Sequence, residues 1–181
     1  MNDDSFVMIT FRCSLLVLSI SCLSSYCAAQ ELSELALFKA LAGKRVESGE
    51  LVPQANAQPI PGKAVSVGTV PDDGKGFQIR GSAVYEPVKW DYLWHFVFDE
   101  GRGKGAVSAI YKDSMGQQIP YQGLYDAENQ QVQLVAKLKG GGNARIIYRL
   151  EASGVIRISS LIADANNTPM VTYSAQNVAA E

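Results

Sequence analysis

The sequence predicts an all-β protein, a single antiparallel up-and-down β-barrel of about ten strands with one short N-terminal helix. Three observations predict it. From Lys63 onward apolar and polar residues alternate with a period of two, turn signals return about every ten residues, and the links between successive strands are short. A parallel crossover needs roughly a dozen residues or more, so neighbours must run antiparallel. Rolling such a meander into a barrel removes its exposed edges.

The elements follow in order. Glu31 to Leu41 sets Leu32, Leu35, Leu37, Phe38 and Leu41 near helical spacing, and Gly43 ends the pattern. A strand is expected near 44–52. The Pro-, Ala- and Gln-rich stretch 53–62 reads as a loop and a candidate flap. Strands are then expected at 63–70, 77–86, 91–99, 104–112, 119–126, 131–138, 143–151, 155–163 and 169–177. They are separated by turn sequences such as Pro71-Asp72-Asp73-Gly74, Glu86-Pro87 and Gly140-Gly141-Gly142-Asn143.

Alternation assigns the inward faces. Phe77, Ile79, Gly81, Ala83 and Tyr85 share one side of their strand, while Gln78, Arg80 and Ser82 share the other. Val132, Leu134, Ala136 and Leu138 behave likewise, as do Ala144, Ile146, Tyr148 and Leu150. In 91–99 the row Tyr92, Trp94, Phe96 and Phe98 is placed inward, opposite the small residues Ala106, Ser108 and Ala109. The other side, Leu93, His95 and Val97, is also apolar enough to need cover from the helix or the proline loop.

The 181-residue chain is 47% hydrophobic and 19% charged, with net charge −2, which suits one globular domain at 30–181 behind a leader. Residues 1–29 read as a signal peptide. Ser14 to Ile20 is a short apolar run and Cys27-Ala28-Ala29 suits a signal peptidase, with cleavage leaving Gln30 or Glu31 near the mature start. Asp3 and Asp4 fit a signal poorly, whereas Met8 to Arg12 fits well, so Met8 is the expected true start. The run is shorter than the ~20 residues of a membrane span. Secretion or periplasmic export is therefore expected, with no stable membrane span after cleavage. Cys13, Cys22 and Cys27 all lie in the leader, so the mature domain would carry no disulfide and no thiolate site.

Three stretches carry a family resemblance. "LAGKRVESGEL" (Leu41 to Leu51), "YKDSMG" (Tyr111 to Gly116) and "YQGLYD" (Tyr121 to Asp126) resemble the lipocalin-like bacterial domain-of-unknown-function family fifteen seventy-nine. That resemblance implies a secreted calycin-like barrel, supplies no catalytic residue, and spans about residues 31 to 177. Arg45 stands where the family usually has Trp, so a barrel-closing aromatic is missing.

No catalytic or metal-ligand constellation stands out, and neither a metal nor a cofactor is expected. Asp113 to Gly116 reads as a tight turn with Asp capping local N–H groups. Gly101 to Gly105 lacks the spacing of a phosphate loop and reads as a hairpin link. His95, the only histidine, points away from the aromatic row and reads as a packed structural residue. Removing Arg12, Asp3 and Asp4 with the leader leaves 15 basic and 16 acidic residues, a balance that speaks against nucleic acid as the main partner, and none is expected.

Ligand-binding candidates are the inward Phe77, Ile79, Tyr85, Trp94, Phe96, Phe98, Tyr148 and Leu150, which would take a small hydrophobic or amphipathic molecule. Lys137, Arg145, Arg149 and Arg157 form a candidate anionic-surface contact, with Lys137 expected across from Arg145 and Arg149 across from Arg157. Three readings stay open: an exported ligand-binding barrel, a non-enzymatic envelope interaction module with a filled barrel, and an acid–base enzyme.

Overall fold

The computed structural model describes residues 32–180 apart from 33 and 55, with residue 100 described in its backbone alone. The leader, its cysteines and the expected cleavage site lie outside the described residues. One short helix, α1 (Ala36–Leu41), precedes ten strands: β1 (Gly43–Val52), β2 (Ile60–Thr69), β3 (Phe77–Tyr85), β4 (Val88–Phe98), β5 (Ala106–Asp113), β6 (Gln118–Asp126), β7 (Gln131–Lys137), β8 (Asn143–Leu150), β9 (Ile156–Ala163) and β10 (Pro169–Ala179). Each strand pairs antiparallel with the next, and β1 pairs with β10 to close the barrel.

The helix end is a filled plug. Leu32, Leu37, Phe38 and Leu41 are buried. The Phe38 ring meets Phe77 at 5.4 Å and Phe96 at 5.6 Å, both edge-on. Beyond it Trp94 lies 5.0 Å from Tyr111, 5.1 Å from Tyr121 and 5.6 Å from Phe96. A second, smaller cluster at the far end joins Ala64, Ala83 and Tyr85 to the half-buried Leu51, Ile60, Trp90 and Tyr173.

Some expectations need correction. The proline loop is shorter than 53–62, because Ile60, Pro61 and Gly62 already pair in β2. In β5, Ala109 faces Phe96 and Val107 faces Phe98, whereas Ser108 turns outward beside Val97 and donates to Asp99 at 2.9 Å. Among the described residues, neither the helix nor the proline loop is seen to cover the outer face of β4. The β2–β3 link does, through the Lys75 carbonyl 3.1 Å from His95 Nε2 and through Gly76 packed on Val97.

Close strand approach also dictates a residue. A Cβ at Gly123 would stand 1.8 Å from the Gln133 carbonyl oxygen, a backbone atom with no room to yield. Gly123→Ala is expected to destabilise the barrel by about 1–3 kcal/mol or more through overpacking, which urea denaturation would read.

Candidate functional site

Between the two apolar clusters runs a polar seam, built by the pair that closes the barrel. Strand alternation turns Arg45, Glu47, Gly49 and Leu51 of β1 inward, and register sets Asn177 opposite Glu47 and Tyr173 opposite Leu51. Arg45 (5% exposed), Glu47 (7%), Ser66 (5%) and Asn177 (2%) are the buried polar residues of the described chain.

These side chains form one hydrogen-bonded path. Arg45 donates through Nε to Asn177 Oδ1 at 2.7 Å and through a terminal nitrogen to the Asn177 carbonyl at 2.9 Å. Asn177 Nδ2 reaches Glu47 Oε2 at 3.4 Å. The Tyr173 hydroxyl donates to Glu47 Oε1, and Tyr85 donates to the Tyr173 hydroxyl at 3.1 Å. The path thus leads from the far end, at Tyr85 and Tyr173, down to Arg45 nearer the helix.

Burial sets the electrostatics. Loss of hydration pushes the Glu47 carboxyl up from 4.5 to about 7, partly countered by the Asn177 hydrogen bond. Burial also raises the phenols of Tyr85, Tyr92 and Tyr148, and the nearby Glu47 charge adds to each. Tyr121 is pushed up to about 12 by burial alone. These tyrosines stay neutral, while Glu47 changes charge near neutrality, next to hydroxyls that can both donate and accept.

The predicted ligand residues are all found inside, in two different settings. Phe77, Ile79, Trp94, Phe96 and Tyr148 are buried in the helix-side cluster, with Phe98 and Leu150 packed against it. Tyr85 belongs to the far cluster. Sequence reasoning missed Glu47, Asn177, Tyr173 and Trp90, and it read Arg45 only as a lost aromatic.

The β5–β6 turn is structural as expected. Asp113 Oδ1 accepts from the N–H groups of Met115 and Gln117, both at 3.0 Å, and Gly116 takes φ +85°. His95 sits on the outer side of β4. Outside the barrel, Arg149 faces Arg157 as expected, but Lys137 faces Asn143 and Arg145 faces Val135. The link 138–142 is longer than a symmetric turn on 140–142, which shifts the register. Arg157 pairs with Glu151.

Comparison with known proteins gives the fold its relatives. No family model and no curated protein matches the chain. Among solved structures the chain is similar to the S-type phycobiliprotein lyase of Guillardia theta, with a TM-score of 0.58 and 9% identity over 85% of this chain and 93% of that one. At that identity the likeness is one of fold, and the fold is a closed, calycin-like ten-stranded barrel plugged at one end by a helix.

Proposed function

We propose that the protein is an exported barrel that binds a small amphipathic molecule in the half of the lumen away from the helix. Its apolar body lies among Leu51, Ile60, Trp90 and Tyr173, and its polar end meets Glu47 and the tyrosine hydroxyls. The carrying observation is the seam from Arg45 to Tyr85. Moving an arginine and a glutamate out of water costs several kcal/mol each unless they are well paired, and a barrel made only to pack would hold apolar residues there. The two groups are not in direct contact as an ion pair; Asn177 stands between them. That a protein of similar fold is a phycobiliprotein lyase is in keeping with a ligand-handling role for this fold. Burial of the ligand's apolar surface, at about 25 cal/mol per Å², drives binding, and the seam orients it. Kinship with family fifteen seventy-nine and export through residues 1–29 belong to the same proposal, and N-terminal sequencing of secreted protein tests the latter.

Tryptophan fluorescence tests the binding. Trp90 and Trp94 are the two tryptophans and both face the lumen. A panel of long-chain acids, alcohols and amines should include at least one that quenches saturably. Trp90→Ala should weaken it at least about tenfold, the loss expected when a ring contact near 1.4 kcal/mol is removed, and Glu47→Gln should weaken it with the barrel intact. Saturable binding left unchanged by both variants, or none across the panel, contradicts the proposal.

A second reading, acid–base catalysis on the bound molecule, is favoured by one observation: Glu47 holds a carboxyl near pH 7 in hydrogen-bond reach of Tyr173. Recovery of the ligand chemically altered after incubation with wild type, but unaltered with Glu47→Gln, would support it. Unaltered ligand in both leaves binding as the function.

A further inference from the structure

A second candidate surface lies outside the barrel, where the strand registers assemble a row that the linear sequence hides. Lys44 is opposite Val67, Val67 opposite Arg80, Arg80 opposite Leu93 and Leu93 opposite Lys112. Cations and branched apolar side chains therefore alternate across five strands. Neighbouring strands are about 4.8 Å apart, which spaces the three cations by about 10 Å. All three are exposed, and none has an acidic partner within ion-pair distance among the described residues.

The row borders a groove of about 540 Å³ that Val65, Ser82 and Ser114 also line. Gly81 behind it lets the Tyr92 ring pack against the inner side of the sheet, where a Cβ would come 2.6 Å from the Tyr92 hydroxyl. Val65 is 49% and Val67 45% exposed, and Val84 and Ile110 on the same face are each 39% exposed. Asp91 and Asp113 line the same groove, Asp91 accepting from Ser82 Oγ and Asp113 capping its own turn through Oδ1, so the three cations outnumber the two carboxylates there.

From this arrangement we propose that the outer face of β1 to β5 docks on an anionic lipid bilayer. A pocket for one free anion would converge its donors on a point. These cations are instead strung along a broad face, at a spacing that lets each meet a separate lipid phosphate. The exposed valines between them suit the interfacial layer of a membrane, where basic and apolar contacts act together. The opposite basic set fits less well: the groove at Arg149 and Arg157, although it also holds Lys63 and Ile147, is lined by Glu50, Ser48, Ser159, Ser174 and Gln176, and Arg157 is already held by Glu151.

Vesicle co-sedimentation of the mature protein tests the docking. At low salt, wild type should sediment with vesicles of phosphatidylglycerol and phosphatidylcholine in equal parts, and not with phosphatidylcholine alone. Reversing Lys44, Arg80 or Lys112 to Glu should each weaken binding by at least about fivefold, the value of one cation near a charged surface. The triple reversal should abolish binding while leaving the barrel's circular dichroism unchanged. Added salt should release wild type, an outcome that needs no variant to fold. Equal sedimentation of wild type and triple variant overturns the proposal, as does binding to phosphatidylcholine alone. It is also overturned if reversal of Arg149 and Arg157 has the larger effect, or if inorganic phosphate competes as well as the vesicle does. Trp90 and Glu47 variants should bind vesicles as wild type does, so this surface and the lumen succeed or fail separately.

Discussion

Glu47→Gln is expected to stabilise the protein relative to wild type at high pH and to leave it unchanged at low pH. In the folded barrel Glu47 keeps its proton until about pH 7, whereas in the unfolded chain it ionises near 4.5. The folded state therefore binds more protons across that window. Wild-type stability falls as pH rises from about 4.5 through 7, and the loss levels off above it. At 1.36 kcal/mol per pKa unit, the full span corresponds to about 3 kcal/mol. The substituted amide is neutral throughout and resembles the protonated carboxyl in shape. Urea denaturation of both proteins across the range should give curves that coincide at about pH 4 and separate by up to about 3 kcal/mol by about pH 8. Parallel curves would mean that Glu47 is not buried in the lumen as described.

Trp94→Ala is expected to cost about 3–5 kcal/mol, the usual consequence of emptying a large aromatic site in a packed core. Trp94 is 5% exposed and touches the rings of Phe96, Tyr111, Tyr121 and Tyr148, so no neighbour is free to fill the gap. Trp90→Ala should cost clearly less, because Trp90 is half-buried at the far end, its ring tilted against Tyr85 at 5.7 Å. Chemical denaturation of the two variants separates the filled half of the lumen from the half proposed to take a ligand. Phe96→Glu would bury a charge within the plug and unfold the barrel, so it cannot report on binding. Equal costs for the two tryptophans would contradict the division of the lumen.

The barrel was legible because period-two alternation and turn chemistry are local signals, and each strand with a clean inner face, such as β3 or β8, could be oriented alone. The candidate site was not. In β1, Lys44, Val46, Ser48 and Glu50 alternate with Arg45, Glu47, Gly49 and Leu51, so both faces are mixed and neither declares itself inward. Only the β10 partner resolves it, since Tyr173 and Ala175 put Asn177 on the inner face opposite Glu47. That pairing joins residues 130 apart in sequence, and no local pattern encodes it. Register likewise decided the outer surface. The expected Lys137–Arg145 pair dissolved with a longer link, while the row from Lys44 to Lys112 emerged from four separate pairings.

Native mass spectrometry of the protein purified from an exporting host decides whether the far half of the lumen holds an amphipathic ligand on the Glu47 seam. Organic extraction and identification of any retained molecule would follow. One small amphipathic molecule per barrel is expected, retained by wild type, lost from Trp90→Ala and depleted in Glu47→Gln, with both variants folded. An empty wild-type protein that also takes up no fatty acid or hydrophobic dye would contradict the ligand-binding lumen and leave a filled barrel whose function lies on its outer surface.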